Sequence, residues 1–223
     1  MAGETSEPDG QQPIAVFLAD DHEMVREGLA ALFAKDSSFR VVGQCGDGLK
    51  IVDEVQQTHP NVVVLDITLP GMNGVDVCRE LVRKAKGTAV LILSMHKDEE
   101  FVATAIESGA SGYLVKDSAS GELTEAVRRV ARGELYLGPG IGRSVLQRLG
   151  QGGDGPYKSL TTRERQVLKM IAEGRTNREI AEQLNLAVKT VDTHRTRLMR
   201  KLNIHDQTTL VKFALRKGLV SLR

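Results

Sequence analysis

Short apolar runs alternate with longer amphipathic stretches through the first part of the chain. Ile14 to Ala19, Arg40 to Cys45, Val62 to Ile67, Ala89 to Met95 and Gly112 to Lys116 are brief and mostly rich in Val, Ile and Leu, the pattern of strands buried on both faces. Between them apolar residues recur at helical spacing: Val25, Leu29, Leu32 and Phe33, then Ile51, Val52 and Val55, then Val75, Cys78, Leu81 and Val82, then Phe101, Val102, Ala105 and Ile106. A fifth set, Leu123, Val127 and Val130, follows the last run. Parallel strands need crossover connections, and right-handed crossovers dominate. The alternation therefore predicts an α/β domain with a doubly wound, five-stranded parallel sheet and helices on both faces.

Beyond residue 132 the pattern changes. A short helix is expected over about Ile141 to Leu149, within a connecting segment 133–149. Residues 150–158, GQGGDGPYK, carry four glycines and a proline and read as a linker. Its average span is about 15–18 Å, so the parts it joins stay within touching distance. After it everything reads as helix. Thr161 with Glu164, and Thr176 with Glu179, form T-x-x-E capping boxes that mark two helix starts. A third helix is expected over Val188 to Leu202 and a fourth over Asp206 to Lys217, stopped by Gly218. The expected organisation is a flexible N-terminal segment 1–12, the α/β domain 13–132, the connecting helix 133–149, the linker, and a small all-α four-helix domain 159–223.

The 223 residues are 41% apolar and 26% charged, which fits two globular domains and excludes general disorder. No apolar run approaches the roughly 20 residues of a membrane helix, and Met1 to Gln12 lacks the basic-then-apolar order of a signal peptide. The expected location is the cytoplasm, with no membrane partner. Cys45 and Cys78, without CxxC spacing, read as reduced thiols in or near the core. The net charge of +1 hides an asymmetry: residues 1–157 hold 15 Lys and Arg against 23 Asp and Glu, a balance of −8, and residues 158–223 hold 15 against 6, a balance of +9. An acidic module tethered to a basic one points to nucleic acid as the partner of the second.

In a parallel sheet the functional edge lies at the C-terminal ends of the strands. There the first strand ends in Asp20 and Asp21, the third in Asp66, the fourth in Ser94 and the fifth in Lys116. Three carboxylates at one edge repel one another unless a cation joins them, and a hard oxygen set with open positions suits Mg²⁺. An Asp carboxylate can attack a phosphoryl group when a metal and a lysine neutralise the transferring oxygens. A single Asp at a strand end commonly serves a turn; five such positions on four strand ends argue for chemistry.

The motifs LADD (18–21), VLDITLPGMNG (64–74), LILSMH (91–96) and GYLVKD (112–117) resemble the receiver domain of two-component response regulators over residues 13–132, a flavodoxin-like fold. The resemblance implies that Asp66 accepts a phosphoryl group from a histidine kinase. It implies that Asp20 and Asp21 hold Mg²⁺ together with Asp66 and the backbone carbonyl of Thr68. Lys116 would pair with the phosphoryl oxygens, Ser94 would move to hydrogen-bond one of them, and Tyr113 would be the aromatic whose rotamer follows. His96 and Thr68 would tune the lifetime of the phosphate, and His22 would start a helix rather than bind the metal. Asp117 departs from the proline that many receivers carry after the lysine.

In the basic half, NREIAEQLNLAVKTVDTHR (177–195) has the layout of a helix-turn-helix. Ile180, Ala181 and Leu184 form one face of its first helix, and Asn185 falls where the turn needs a left-handed residue. On the second helix Val191, Leu198 and Leu202 face the core, while Lys189, Thr193, Thr196, Arg197 and Arg200 present donors for phosphates and base edges. LTTRERQVLKMIAEG, NREIAEQL, KTVDTHRTRLMRKL and the closing helix resemble the effector domain of LuxR and NarL-type regulators over residues 158–223. The resemblance implies that the second and third helices read DNA and that the fourth often supplies a dimer face, for which Val211, Ala214 and Leu215 are candidates if they are not plain core. Ala187 stands where the family commonly has a serine cap, and Asp192 where several members have Lys or Arg. A carboxylate at 192 can accept from a cytosine amino group.

Together the halves imply a DNA-binding response regulator of the NarL/LuxR (FixJ) family rather than an enzyme with steady turnover. Asp66 would gain a phosphoryl group and lose it by self-catalysed hydrolysis, and phosphorylation would control binding of a homodimer to paired half-sites in double-stranded promoter DNA. The opposite charges on a short tether suggest that the acidic half shields the basic reader until Asp66 is modified. A phosphorylation-independent regulator with a vestigial receiver is the rival, disfavoured by the filling of all five site positions. An aspartyl-phosphate phosphatase wants an acid two residues after the nucleophile, where Thr68 stands, and a lactone-binding regulator wants a pocket rich in aromatics, which make up only 4% of this chain.

Overall fold

The computed structural model describes residues 12–118, 120–141 and 156–220. In the first module the elements are β1 (Ile14–Ala19), α1 (Glu23–Ala34), β2 (Phe39–Cys45), α2 (Ile51–Thr58), β3 (Val62–Leu65), α3 (Gly74–Lys84), β4 (Ala89–Ser94), α4 (Glu99–Glu107), β5 (Gly112–Val115), α5 (Ser120–Ala131) and β6 (Tyr136–Leu137). The strands pair in the order β2-β1-β3-β4-β5-β6, all parallel. Alternation along β1 shows the double winding directly. Phe17 and Ala19 join Ile51, Val55, Val77 and Leu81 in a core on one face of the sheet, while Val16 and Leu18 join Leu91, Leu114, Val127 and Val130 on the other.

The sheet has one strand more than the five expected. β6 is two residues long and pairs with Gly112 and Tyr113 at the edge of β5, too short to carry a period that a sequence pattern can reveal. The helix expected over Ile141 to Leu149 and most of the linker lie outside the described residues, as do residues 1–11. Both cysteines are buried, and burial pushes their thiols up, Cys45 to about 11 and Cys78 to about 12, as inert core thiols should be.

The second module begins with a 3₁₀ turn (Pro156–Ser159), followed by α6 (Thr162–Ala172), α7 (Asn177–Leu184), α8 (Val188–Leu202) and α9 (Gln207–Arg216). Both predicted capping boxes form: Thr161 and Thr176 accept from the backbone of Glu164 and Glu179, whose carboxylates accept in return. Asn185 and Asn203 close α7 and α8 in the left-handed region, each at φ 53°. Ala187 starts α8 with no side-chain cap. Val167, Leu168, Ile171, Ile180, Leu184, Val191, Leu198 and Leu210 are among the buried residues that give this module its own core.

Candidate functional site

The strand order reverses between β1 and β3, the point where a doubly wound sheet opens a crevice at its C-terminal edge. Asp20, Asp21 and Asp66 leave those two strands, Ser94 ends β4, and Lys116 follows β5. The structure thus brings all five residues read from the strand ends to one place. Lys116 Nζ donates to Asp20 Oδ2 at 2.5 Å and to Asp66 Oδ2 at 3.0 Å. Asp20 is 2% and Asp66 5% exposed. Burial pushes the Asp66 carboxyl above the usual range; the Lys116 charge opposes this, and the Asp20 charge adds to it. Burial alone would lower the Lys116 ammonium, but the Asp66 charge and the bond to Asp20 outweigh it and hold it high. One lysine facing three acids leaves the site short of positive charge.

A ligand atom from each of Asp20, Asp21, His22 and Asp66 lies within 4.8 Å of the others, and the three carboxylates are the hard oxygen set that a divalent cation requires. His22 starts α1, as expected. Its ring nevertheless lies in the site wall, Nδ1 at 2.8 Å from Asp21 Oδ1 and 3.3 Å from Asp20 Oδ1, which the sequence pattern did not show. The Thr68 backbone N–H donates to the Asp66 carboxylate. The chain turns sharply beneath the aspartate: a Cβ at Gly74 would lie 2.1 Å from the Asp66 carbonyl oxygen, so only glycine fits there.

Ser94 and Tyr113 are both fully buried. Ser94 Oγ accepts from the His96 N–H at 3.2 Å, and the Tyr113 hydroxyl donates to the His96 carbonyl at 2.8 Å. Tyr113 is thereby turned inward, its phenol pushed up to about 12 by burial. The Lys116–Asp117 peptide is trans, and Asp117 lies out at the surface, 3.1 Å from Lys97 Nζ.

On α8, Lys189, Asp192, Thr193, Thr196, Arg197 and Arg200 are all exposed, opposite the buried Val191, Leu198 and Leu202. Asp192 Oδ1 accepts from Asn177 Nδ2 at 3.3 Å, tying α8 to α7. Lys201, next to this face, instead pairs with Glu164 at 2.7 Å.

The two modules touch, but not as their net charges suggest. The reading face of α8 stays exposed, and the contact is made by α6 and the end of α9. Arg165 on α6 reaches Asp76 on α3 at 2.7 Å, beside Arg79, also at 2.7 Å. The Gly71 N–H donates to Glu173 at 3.3 Å, and Gln166 Nε2 donates to Met72 Sδ at 3.5 Å. Above the acidic site this leaves a cavity of about 560 Å³, with Asp21, His22 and Thr68 on one wall and Lys169, Glu173 and Arg175 on the other. Lys169 is 2% exposed. It donates to the Leu219 carbonyl and pairs with Glu173; burial pushes its ammonium down against the pull of Glu173. A summed charge carries no address, whereas a buried ion pair does. Sequence reasoning passed over Asp76, Arg165 and Lys169. Gln166 and Lys169 are polar positions buried on a helix that also has its own apolar face, a burial that only the structure shows.

Known proteins show the same two parts. Residues 16–128 match the family described as the response regulator receiver domain, and residues 158–214 match the LuxR family of bacterial regulatory proteins. The transcriptional regulatory protein LiaR of Bacillus subtilis is 38% identical over 210 residues, 93% of this chain and all of its own. The oxygen regulatory protein NreC of Staphylococcus carnosus is 35% identical, over 92% of this chain and 98% of its own. Among solved structures, the response regulator ChrA of a heme-sensing two-component system aligns with a TM-score of 0.52 at 32% identity, over 94% of this chain and all of its own.

Proposed function

Because the chain belongs to the response regulators that join a receiver domain to a LuxR-type DNA-binding domain, we propose that a phosphoryl group on Asp66, received from a histidine kinase, controls its binding to promoter DNA in the cytoplasm. The observation that carries this reading is the Lys116 ammonium shared between Asp66 and Asp20 inside a buried three-acid group. Such a site is prepared to receive negative oxygens once a cation is added. Asp20, Asp21 and Asp66, with the Thr68 carbonyl, would hold Mg²⁺, which when bound supplies the missing positive charge.

An ionised Asp66 oxygen attacks phosphorus, and the leaving group departs with its electron pair. Lys116 turns from the carboxylates toward a phosphoryl oxygen, and the Ser94 hydroxyl donates to another. The modified side chain carries about −1.5 to −2 charge. Drawing Ser94 forward alters its bond with the His96 backbone, and Tyr113, bonded to the same residue, follows. Water later attacks the acyl phosphate, at a rate that Thr68 and His96, beside the site, would adjust.

The test is intact-mass spectrometry with Mg²⁺ and acetyl phosphate, followed by promoter binding by the same samples. One added phosphoryl group and tighter DNA binding are expected; no added group would favour the vestigial-receiver reading. The DNA face has its own check. Arg197→Ala and Arg200→Ala should each weaken binding and, if phosphate contacts are lost, lower the slope of log affinity against log salt by about 1. Lys201→Ala should leave that slope unchanged, because Lys201 is already committed to Glu164.

A further inference from the structure

His22 stands at the start of α1 and makes no side-chain cap, so beginning the helix leaves its imidazole without a role. The ring turns instead toward the acidic site, with Nδ1 at 2.8 Å from Asp21 Oδ1 and 3.3 Å from Asp20 Oδ1. Its backbone is already held. The His22 N–H donates to Asp20 Oδ1 at 2.9 Å, and the Val25 and Arg26 N–H groups donate to the His22 carbonyl, each at 3.1 Å. Arg26 Nη1 fixes the same turn by donating to the Asp20 carbonyl at 2.6 Å. Only the side-chain torsions of His22 remain to aim the ring.

The two oxygens of Asp20 face different groups. Oδ2 takes the Lys116 ammonium, which also reaches Asp66 Oδ2, whereas Oδ1 lies on the side of His22. Asp21 presents its own Oδ1 to the same ring. Around a cation with bonds of about 2.1 Å, neighbouring donor atoms lie roughly 3.0 Å apart in an octahedron and roughly 3.4 Å apart in a tetrahedron. The separations of 2.8 and 3.3 Å have that spacing, and with Asp66 all four donor atoms fall within 4.8 Å of one another. His22 and Asp21 also line the cavity beneath α6, which gives an ion room to enter. Donor chemistry then chooses among cations. Mg²⁺ takes oxygen ligands and keeps several of its waters, whereas imidazole nitrogen suits the first-row transition ions, more strongly from Mn²⁺ through Co²⁺ to the later metals.

We propose that His22 Nδ1 is a nitrogen ligand beside the carboxylates of Asp20, Asp21 and Asp66, and that it turns this centre toward a divalent transition cation of the Co²⁺ and Zn²⁺ class in preference to Mg²⁺. The inference rests on the reading that the three acids hold a divalent cation, and adds which cation they hold best.

Two measurements on the full-length chain test it. In wild type loaded with Mn²⁺, pulsed electron paramagnetic resonance should show the modulation of a directly bound imidazole nitrogen, and His22→Ala should abolish it. The preference is read by isothermal titration with Co²⁺ and, separately, with Mg²⁺. Losing even an outer partner of a metal ligand costs about 10–100-fold in affinity. His22→Ala should therefore bind Co²⁺ at least about ten-fold more weakly, while its Mg²⁺ affinity moves by less than about two-fold. The side chain is 64% exposed, so its removal leaves no gap in the core. Asp21→Asn should weaken both ions, which separates this centre from binding by histidines elsewhere on the surface. Absence of nitrogen modulation in wild type, or equal losses of Co²⁺ and Mg²⁺ in His22→Ala, overturns the ligand role and leaves the three-acid Mg²⁺ site standing. A failure of the underlying reading looks different: Asp21→Asn would change the affinity for neither ion, and the acidic site and its histidine ligand would fall together.

Discussion

Asp66→Asn is expected to lower phosphoryl uptake by at least about 10³-fold, to the floor of intact-mass detection, because an amide oxygen cannot replace the carboxylate nucleophile. Every effect of acetyl phosphate on DNA binding should vanish with it. The substitution keeps the shape of the side chain, and Lys116 keeps its 2.5 Å bond to Asp20, so the loss will not reflect collapse of the site. Stability should move the other way. Burial, before any other influence, raises the Asp66 carboxyl above its unfolded value. Its favourable contribution is therefore present at low pH and is lost as pH rises through the folded value. At neutral pH the ionised group costs stability, so metal-free Asp66→Asn should melt at or above the wild-type temperature, with the gap closing on acidification. A lower melting temperature at pH 7 in calorimetry would contradict this account of the site.

The second large effect concerns the contact between the modules. Asp76 is 3% exposed and carries two arginines, Arg79 from its own helix and Arg165 from α6. Breaking a buried pair by removing one partner costs about 3–5 kcal/mol, because the other charge is left without compensation. In Asp76→Ala the stranded Arg165 has an escape: the DNA-binding domain can lift away and return the guanidinium to water. The cost should thus appear as opening of the docked form rather than unfolding, shifting that equilibrium by about 10²–10⁴-fold. Arg165→Ala should open the modules less, since Asp76 retains Arg79. Small-angle scattering would show the difference as a larger radius of gyration for Asp76→Ala. Equal radii for wild type and Asp76→Ala would remove the ion pair from the docking energy.

These two sites differ sharply in how far the sequence revealed them. Parallel strands buried on both faces are continuous apolar runs, so their ends are visible, and the ends placed Asp20, Asp21, Asp66, Ser94 and Lys116 together. The capping boxes at Thr161 and Thr176 and the left-handed Asn185 were equally legible, because each is a local arrangement with a local cause. β6 was not, since two residues have no period. Nor was the docking face. The pair Asp76 and Arg165 joins distant segments, and nothing in either neighbourhood names the other. The −8 and +9 balances announced two modules but could not say that α6, rather than the reading helix, would meet the receiver.

The exposure of that helix bears on how steeply the regulator would respond. With Lys189, Thr193, Thr196, Arg197 and Arg200 already facing solvent, docking leaves the first contact with DNA open, and on the proposed reading that a homodimer binds paired half-sites, regulation acts on the second chain. Occupancy of a paired site would then follow the square of the pairing-competent population, so a doubling of that population brings about a fourfold rise at low occupancy. Uncovering a single reading surface would give only a proportional rise. The regulator would act as a threshold device, quiet under weak stimulus and abrupt above it.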